Sequence, residues 1–285
     1  MSILEPPARR SAGRSGARRT RAADARREAT AGRPTCAANR ARSISEENSG
    51  WHRGFALSEQ QIADVLAEAA IAPIESGMLV GLGTGRTARR GVRALAERVR
   101  TEGLDIRCVA SSQGTDHLAR ELELRLVDFS QVEEVDYLFD GADEVDPKLR
   151  MLKGSGGAMT RERIIAWASK RRVYMIDGHK LVDTLGTNAT LPVAVMGFGL
   201  ASTRASLRAV GLNGVCRRTM DGDVFHTDND NLVIDVTLTP DHCLEELAAH
   251  LNDIPGVIDH GLFLAEADEI LVDKGGKVDR LMRQD

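Results

Sequence analysis

The sequence predicts an α/β fold with a doubly wound parallel sheet and a second, smaller α+β unit. Two observations lead to this prediction. Between about residues 56 and 190, short apolar segments typical of buried strands alternate with segments whose apolar residues recur at helical spacing. After Leu191 the order becomes strand, helix, strand, strand, helix, strand, which is the order of a ferredoxin-like unit.

The first predicted element is a helix. Ser58 and Gln61 have the spacing of a capping box, and apolar residues follow at helical intervals to about Ala70. Four apolar strand segments come next: GMLVGL, DIRCVA, VDYLF and RRVYMI. A helical segment lies between the first and second, between the second and third, and between the third and fourth, so the strands are expected to be parallel.

The later segments are predicted to form an insertion. Residues 191–264 are expected to be a ferredoxin-like lid domain placed to cover a site. The last segment, ADEILVDKGGKVDRL, is predicted to be a strand and a short helix that return to the first sheet. Residues 56–190 and 265–285 would then make up the catalytic domain.

The first 55 residues differ from the rest in charge. Residues 1–54 contain 12 Arg, no Lys and 5 acids, a net charge of +7. Because the whole chain carries −4, the remaining residues carry a net charge of −11. With almost no large apolar residue, this extension is predicted to be disordered. Three interpretations stay open: an organelle transit peptide, a nonspecific nucleic-acid contact, and a solvated appendage or over-early start. Nucleic acid is not the expected partner.

The composition favours a soluble globular protein, with 42% hydrophobic and 28% charged residues. No stretch of 18 apolar residues and no secretory leader are found, so we expect a cytoplasmic protein without a membrane span. The four cysteines and the histidines lack metal-ligand spacing. No metal and no cofactor are predicted.

The segment GLGTGRTA joins the first strand to its helix. Backbone amides of such a turn and the start of a helix can hold an anion. The segment matches neither a Walker loop nor the dinucleotide-binding glycine pattern, and a simple tight turn is the alternative. Its hydroxyls favour a phosphate, so the candidate substrate-binding residues here are Thr84, Gly85, Arg86 and Thr87.

The segment FDGADEVD ends the third strand with acids. A solvated loop and a Mg²⁺ site are two interpretations. Two carboxylates about 5 Å apart repel by roughly 3 kcal/mol at an effective dielectric near 20, so they need a cation or a shared proton. Lys153 is the candidate cation for Asp140 and Asp143, and Gly141 and Ala142 between the two acids join the candidate site.

The segment KGSGGAMTRE combines an anion-binding loop with a buried acid. Gly154, Ser155 and Gly156 can present backbone amides beside Lys153, although a flexible loop is the alternative. On the following helix, the neighbours of Glu162 three and four residues away are apolar. Apolar surroundings raise the pKa of a carboxyl group toward that of a useful general base. Lys180, at the end of the fourth strand in DGHK, completes the candidate site.

A base, two acids, a lysine and phosphate cradles fit proton transfer next to the carbonyl of a sugar phosphate. The five segments GLGTGRTA, SSQGT, DGADEVD, KGSGGAMTRE and DGHK, in this order, closely resemble the A-type ribose-5-phosphate isomerases. The resemblance implies a Rossmann-like domain with a ferredoxin-like lid. It also implies a homodimer or larger homo-oligomer that interconverts ribose 5-phosphate and ribulose 5-phosphate in the pentose phosphate pathway, without metal.

The resemblance also implies residue roles. Glu162 would move a proton between C2 and C1, while Asp140, Asp143 and Lys153 would bind sugar hydroxyls, assist ring opening and stabilise the enediolate. Arg86 stands where the family commonly has a serine, and the first helix lacks a lysine that many members place near the phosphate. We hypothesise that Arg86 supplies the missing charge, the alternative being a solvated residue.

Two other functions use related folds. A noncatalytic sugar-phosphate sensor would need a DNA-binding module, and the Arg-rich extension has no apolar periodicity to form one. A CoA transferase would use its glutamate as a nucleophile, a role that does not explain the paired aspartates and Lys153.

Overall fold

The computed structural model describes residues 64–284. The predicted disordered extension and the predicted start of the first helix at Ser58 lie outside the described residues. Within them, no helix combines the length and the apolar character needed to cross a membrane.

The described residues form six α-helices and thirteen strands. The helices are α1 (Val65–Ile71), α2 (Gly85–Glu102), α3 (Gln113–Glu121), α4 (Met159–Ala168), α5 (Leu200–Ala209) and α6 (Leu244–Asp253). The strands are β1 (Leu79–Leu82), β2 (Arg107–Ala110), β3 (Tyr137–Gly141), β4 (Glu144–Val145), β5 (Met151–Leu152), β6 (Arg172–Asp177), β7 (Leu191–Val195), β8 (Gly214–Cys216), β9 (Leu232–Val236), β10 (Val257–His260), β11 (Leu262–Phe263), β12 (Glu269–Asp273) and β13 (Val278–Met282).

The main sheet has six strands in the order β13-β12-β6-β3-β1-β2. All neighbours are parallel except β12 and β13, which pair antiparallel. The chain runs outward from β1 in both directions, first to β2 and then back to β3. The order therefore reverses between β1 and β3, and in open α/β sheets ligands bind outside the carboxyl ends of the strands at this point.

Helices cover both faces of the main sheet. Side chains alternate along β3, so Tyr137 and Phe139 enter the core under α1, α2 and α3, whereas Leu138 enters the core under α4. By the same alternation Asp140 lies on the α4 side. The doubly wound parallel sheet predicted from the sequence is thus confirmed, and it directs the last residue of β3 toward the helix that carries Glu162.

The insertion forms a second sheet in the order β10-β7-β9-β8, with every neighbouring pair antiparallel. In chain order this is 4-1-3-2, the ferredoxin-like arrangement that the sequence predicted. Leu191, Val193 and Val195 of β7 pack with α5 and α6. On the opposite face, Ala194 joins the core that includes Met159 of α4, so the second sheet packs directly beside the helix of the candidate base.

Two predicted elements were wrong. The short helix expected at the C-terminus is the strand β13, because Gly275 and Gly276, with φ of 71° and 91°, make a turn that brings Val278 opposite Asp273. The segment GVIDHGLFL is not one strand. It changes partners at Gly261, so that β10 pairs with β7 while β11 pairs with β5 in a small third sheet, β11-β5-β4.

Candidate active site

A cavity of about 580 Å³ opens at the carboxyl ends of β1, β3 and β6. It lies beside the point where the strand order reverses. Nearly all predicted site residues line it, namely Thr84, Gly85, Arg86, Thr87, Gly141, Ala142, Asp143, Lys153, Gly154, Ser155, Gly156, Glu162 and Lys180. Asp140 is instead buried behind the residues that line the cavity, and only 1% of it is exposed.

The turn between β1 and α2 packs closely against the side chain of Asp140 and donates a hydrogen bond to it. A Cβ atom at Gly83 would lie 2.1 Å from Oδ1 of Asp140, so only glycine allows this approach. The amide of Thr84 donates to the same Oδ1 at 2.9 Å, and its hydroxyl lies 2.7 Å from that of Ser111 on the next turn. The first amides of α2 have no side-chain cap and are therefore available to bind an anion.

Lys153 is buried between two carboxylates. Its Nζ lies 3.0 Å from Oδ2 of Asp140 and 3.3 Å from Oε1 of Glu162, and it also donates to the carbonyl of Gly141. Burial by itself lowers the pKa of Lys153, but the negative charges of Asp140 and Glu162 outweigh it and hold the pKa above its ordinary value. The site therefore contains a permanent positive charge away from water.

Glu162 has one carboxylate oxygen to which none of the described residues donates. Its side chain lies among the buried residues Met159, Ile165 and Ala166 of α4. Burial raises the pKa of Glu162 to about 8, the charges of Asp140 and Asp143 add to the rise, and Lys153 opposes it. Oε2 is buried and has no hydrogen-bond partner among residues 64–284. A buried polar atom left in this way calls for an explanation, and an acceptor for a substrate proton is one.

The glycine loop, residues 154–157, joins Lys153 to the helix of Glu162. Gly154 has a φ of 101°, which only glycine adopts without strain. The amide of Ser155 donates to Oδ2 of Asp143 at 2.9 Å and holds that acid at the cavity. Across the cavity Lys180 donates to the carbonyl of Ala142 at 2.5 Å, and burial lowers the pKa of this lysine.

Comparison with known proteins identifies the family of the chain. Residues 107–277 match the sequence model of the family described as ribose 5-phosphate isomerase A (phosphoriboisomerase A). The chain is 46% identical over 209 residues to the ribose-5-phosphate isomerase A of Chlamydia trachomatis serovar L2, covering 73% of this chain and 86% of the relative. The chain belongs to the ribose 5-phosphate isomerase A family.

Other members of the family agree in sequence and structure. The ribose-5-phosphate isomerase A of Sphingopyxis alaskensis is 43% identical, with 78% of this chain and 95% of the relative covered. The structure of ribose 5-phosphate isomerase A from Methanocaldococcus jannaschii has a TM-score of 0.72 at 34% identity, covering 76% of this chain and 96% of that one. A D-ribose-5-phosphate isomerase in complex with phospho-erythronic acid has a TM-score of 0.74 at 32% identity, with coverages of 77% and 96%.

The family resemblance seen in the five sequence segments is thereby confirmed, together with the enzyme class, an isomerase that acts on ribose 5-phosphate. Among residues 64–284, no three His, Cys, Asp or Glu side chains are grouped as metal ligands. The roles of individual residues in this family member stay predictions, and the distances given above support them.

Sequence reasoning missed Arg90 as a residue of the cavity. It donates to Asp64 at 2.6 and 2.8 Å and to Asp177 at 3.3 Å. A signal was present, because Arg90 follows Arg86 by four residues and so lies on the same face of α2. His179, to which no chemistry was assigned, also lines the cavity.

Proposed function

We propose that this enzyme interconverts D-ribose 5-phosphate and D-ribulose 5-phosphate through an enediolate, with Glu162 as the base. The observation that carries the proposal concerns a glutamate that lines the cavity: its Oε2 is buried and has no hydrogen-bond partner within residues 64–284. Its raised pKa makes the carboxylate a stronger base than an ordinary glutamate.

The proposed reaction moves protons only. Glu162 removes the proton from C2 of the open-chain aldehyde, the electrons of that C–H bond form a C1–C2 double bond, and the carbonyl electrons move to O1. The same proton then returns to C1, and the proton on O2 moves to O1, which leaves a ketone at C2. The ammonium of Lys153, 3.3 Å from Oε1, supplies positive charge for the enediolate oxygens.

Different groups of the site suit the phosphate end and the sugar end of the substrate. The uncapped amides at the start of α2, Arg86 and Lys180 line the same cavity and suit a phosphate group. Asp143, fixed by the amide of Ser155, can accept hydrogen bonds from sugar hydroxyls and assist ring opening. The carboxylate of Asp140 is buried and already accepts a hydrogen bond from Lys153. We therefore propose that Asp140 acts by orienting Lys153 rather than by touching the sugar.

We propose that the reaction needs no metal, because Lys153 already places a cation beside the base. Ribulose 5-phosphate formation by the full chain, measured with and without chelator, tests this. Activity that survives the chelator and collapses in Glu162→Gln supports the proposal. Equal activity in the variant would place the base elsewhere, and binding of ribose 5-phosphate without turnover would favour the sensor.

We also propose that the enzyme forms a homodimer through an apolar face. Ile164 and Trp167 lie one turn apart on α4 and are 51% and 76% exposed. Ile258 lies on β10, which packs against α4, and Phe198, 90% exposed, follows β7, the neighbour of β10. Exposed apolar patches of this kind mark interfaces, and two identical copies can pair their patches about a two-fold axis.

The homodimer proposal is tested by the molar mass in solution. Trp167→Glu should convert the dimer to a monomer in sedimentation or light scattering. The matched control is Met220→Glu, a fully exposed apolar residue outside this face, which should leave the mass unchanged. A wild-type protein that is monomeric at micromolar concentration would contradict the proposal.

A further inference from the structure

Arg217 reaches from the ferredoxin-like sheet to the glycine loop of the active site. It follows β8 directly, and its side chain is 14% exposed. One nitrogen, Nη1, donates to the carbonyl of Gly154 at 3.0 Å and to that of Ser155 at 2.9 Å. No proposed catalytic step uses this side chain, so these contacts need another explanation.

The guanidinium of Arg217 is itself held in place. Nε donates to Asp235 of the neighbouring strand β9 at 2.9 Å, and Nη2 contacts the other oxygen of the same carboxylate. A two-point contact of this kind fixes the plane of the guanidinium as well as its position. Asp235 therefore determines the direction in which Nη1 points, and that direction is the glycine loop.

Two peptide planes of the glycine loop are fixed by these bonds. A peptide unit is planar, so its carbonyl and the following amide point in opposite directions. Binding the carbonyl of Gly154 orients the amide of Ser155, which donates to Oδ2 of Asp143 at 2.9 Å. Binding the carbonyl of Ser155 in the same way orients the amide of Gly156, which lines the cavity.

The middle of the glycine loop is its exposed part, whereas Gly154 and Gly157 at its ends are buried. Ser155 and Gly156 are exposed, and glycines lose more conformational freedom than other residues when they are ordered. An arginine anchored in a neighbouring sheet can order such a loop without entering the cavity. The loop joins Lys153 to the helix of Glu162, so its conformation affects both ends of the site.

We propose that Arg217, oriented by Asp235, is a positioning residue for the isomerisation: it fixes the peptide planes of the glycine loop so that Asp143 is held at the sugar. This inference rests on the proposed function, in which Asp143 contacts the substrate. Arg217 acts through the loop and touches neither the sugar nor the phosphate.

The test compares Arg217→Ala with the wild-type enzyme. Misplacing a reacting group by about 1 Å can cost on the order of a hundredfold in rate, so kcat should fall by about tenfold to a hundredfold. KM should change by less than about threefold, because the protein groups proposed to bind the substrate phosphate are untouched. Free guanidinium ion at a nondenaturing concentration should restore part of kcat.

Two further variants separate positioning from loss of structure. Arg218→Ala is the matched control. Among residues 64–284 the side chain of this neighbour donates only to the carbonyl of Gly222 in its own hairpin, so the variant should keep wild-type kinetics. Asp235→Asn keeps Arg217 but removes the charged two-point contact, and it should lower kcat in the same sense by a smaller factor. If Arg217→Ala does not fold, Asp235→Asn decides the question.

Unchanged kcat in both Arg217→Ala and Asp235→Asn would overturn the inference. A rise in KM with kcat unchanged would also overturn it. The same holds for a fall in kcat that parallels the loss of folded protein and is not restored by guanidinium. A wild-type enzyme without isomerase activity would instead refute the proposed function, so the two failures are distinguishable.

Discussion

Glu162 and Arg163 are adjacent on α4 and both are largely buried, but they differ in how many partners surround their charged groups. Arg163 donates to Asp259 at 2.8 Å, to Glu266, and to the carbonyls of His260 and Leu262 at 2.7 and 2.9 Å. Glu162 has Lys153 near one oxygen, and the part of the chain that the structure describes offers no partner for the other. The ring of Phe263 lies 4.0 Å from the Arg163 guanidinium and 5.6 Å from Nζ of Lys153.

The difference teaches how a buried charge can be assigned a purpose. A buried charge with all its partners in place holds structure together, and removing one partner leaves the others uncompensated. A buried charge with a free oxygen beside a cavity raises the energy of the folded protein, and such a cost is expected at functional sites. We therefore propose a structural role for Arg163 and a chemical role for Glu162, although they are neighbours in sequence.

The largest expected effect comes from Glu162→Gln. A positioned general base contributes about 10²–10⁴-fold to the rate, so kcat for ribulose 5-phosphate formation should fall by that factor. The melting temperature should not fall, because glutamine fills the same space and cannot ionise. Steady-state kinetics and thermal unfolding of the two proteins check both statements, and a melting temperature well below wild type would mean that Glu162 also holds the fold together.

The opposite pattern is expected for Arg163→Met. Breaking a buried ion pair costs about 3–5 kcal/mol, because Asp259 and Glu266 lose their cation. The free energy of unfolding measured in denaturant should fall by that amount. At a temperature where the variant is folded, kcat should stay within about threefold of wild type. Arg93→Met, an exposed change on α2, is the control and should shift stability by less than about 0.5 kcal/mol.

On the acidic side, the pH dependence of the reaction should come from Glu162. The base works as the carboxylate, so kcat/KM should fall about tenfold per unit as the pH drops below about 8. The contribution of Glu162 to folding stability should change with pH in the opposite direction to its contribution to activity. A carboxyl whose pKa is raised on folding stabilises the protein below the unfolded pKa near 4.5, and this contribution is lost as the pH rises through about 8.

The stability difference between wild type and Glu162→Gln should therefore change over that pH window. Measured from pH 4.5 to 8, it should move against wild type by up to about 1.4 kcal/mol per pH unit. Arg93→Met provides the contrast, because it is an exposed change and an arginine does not titrate in this range. A difference that stays flat would show that Glu162 has an ordinary pKa.

Local sequence patterns predicted Glu162 because its apolar neighbours are three and four residues away. They could not separate the acids of DGADEVD. Asp143 faces the cavity, whereas Glu144 accepts hydrogen bonds from the amides of Gly186, Asn188 and Ala189, more than forty residues later. The partners of Arg163 lie still farther along the chain. Contacts at such separations leave no trace in local spacing.

The same limit explains the errors in the fold. The parallel strands and the ferredoxin-like order follow from local periodicity, and both were predicted correctly. The strand β13 was predicted as a helix because its identity depends on pairing with β12 across the turn at Gly275 and Gly276. Tertiary pairing decides such short segments, and local preference only biases them.

Arg86→Ser tests a charge at the rim rather than in the interior. Arg86 is exposed and lines the cavity beside the uncapped amides of α2. If it binds the substrate phosphate, KM should rise about fivefold to tenfold, which corresponds to about 1–1.4 kcal/mol, with kcat little changed. Arg89→Ser, an exposed change on the same helix, should leave KM unchanged. A KM for ribose 5-phosphate that is unaltered in Arg86→Ser would show that the hypothesis is wrong.

The smallest effect, from Tyr174→Phe, sharpens the comparison between Glu162 and Arg163. The hydroxyl of Tyr174, like Oε2 of Glu162, is buried without a hydrogen-bond partner among the described residues, but Tyr174 does not line the cavity. Its ring lies 5.3 Å from Nζ of Lys153, a contact that phenylalanine keeps. Removing an unsatisfied buried hydroxyl should raise the free energy of unfolding by about 1 kcal/mol, with kcat and KM unchanged. A fall in kcat would mean that an unpartnered polar atom marks function even outside the cavity, whereas unchanged kinetics would show that both the missing partner and access to substrate are required.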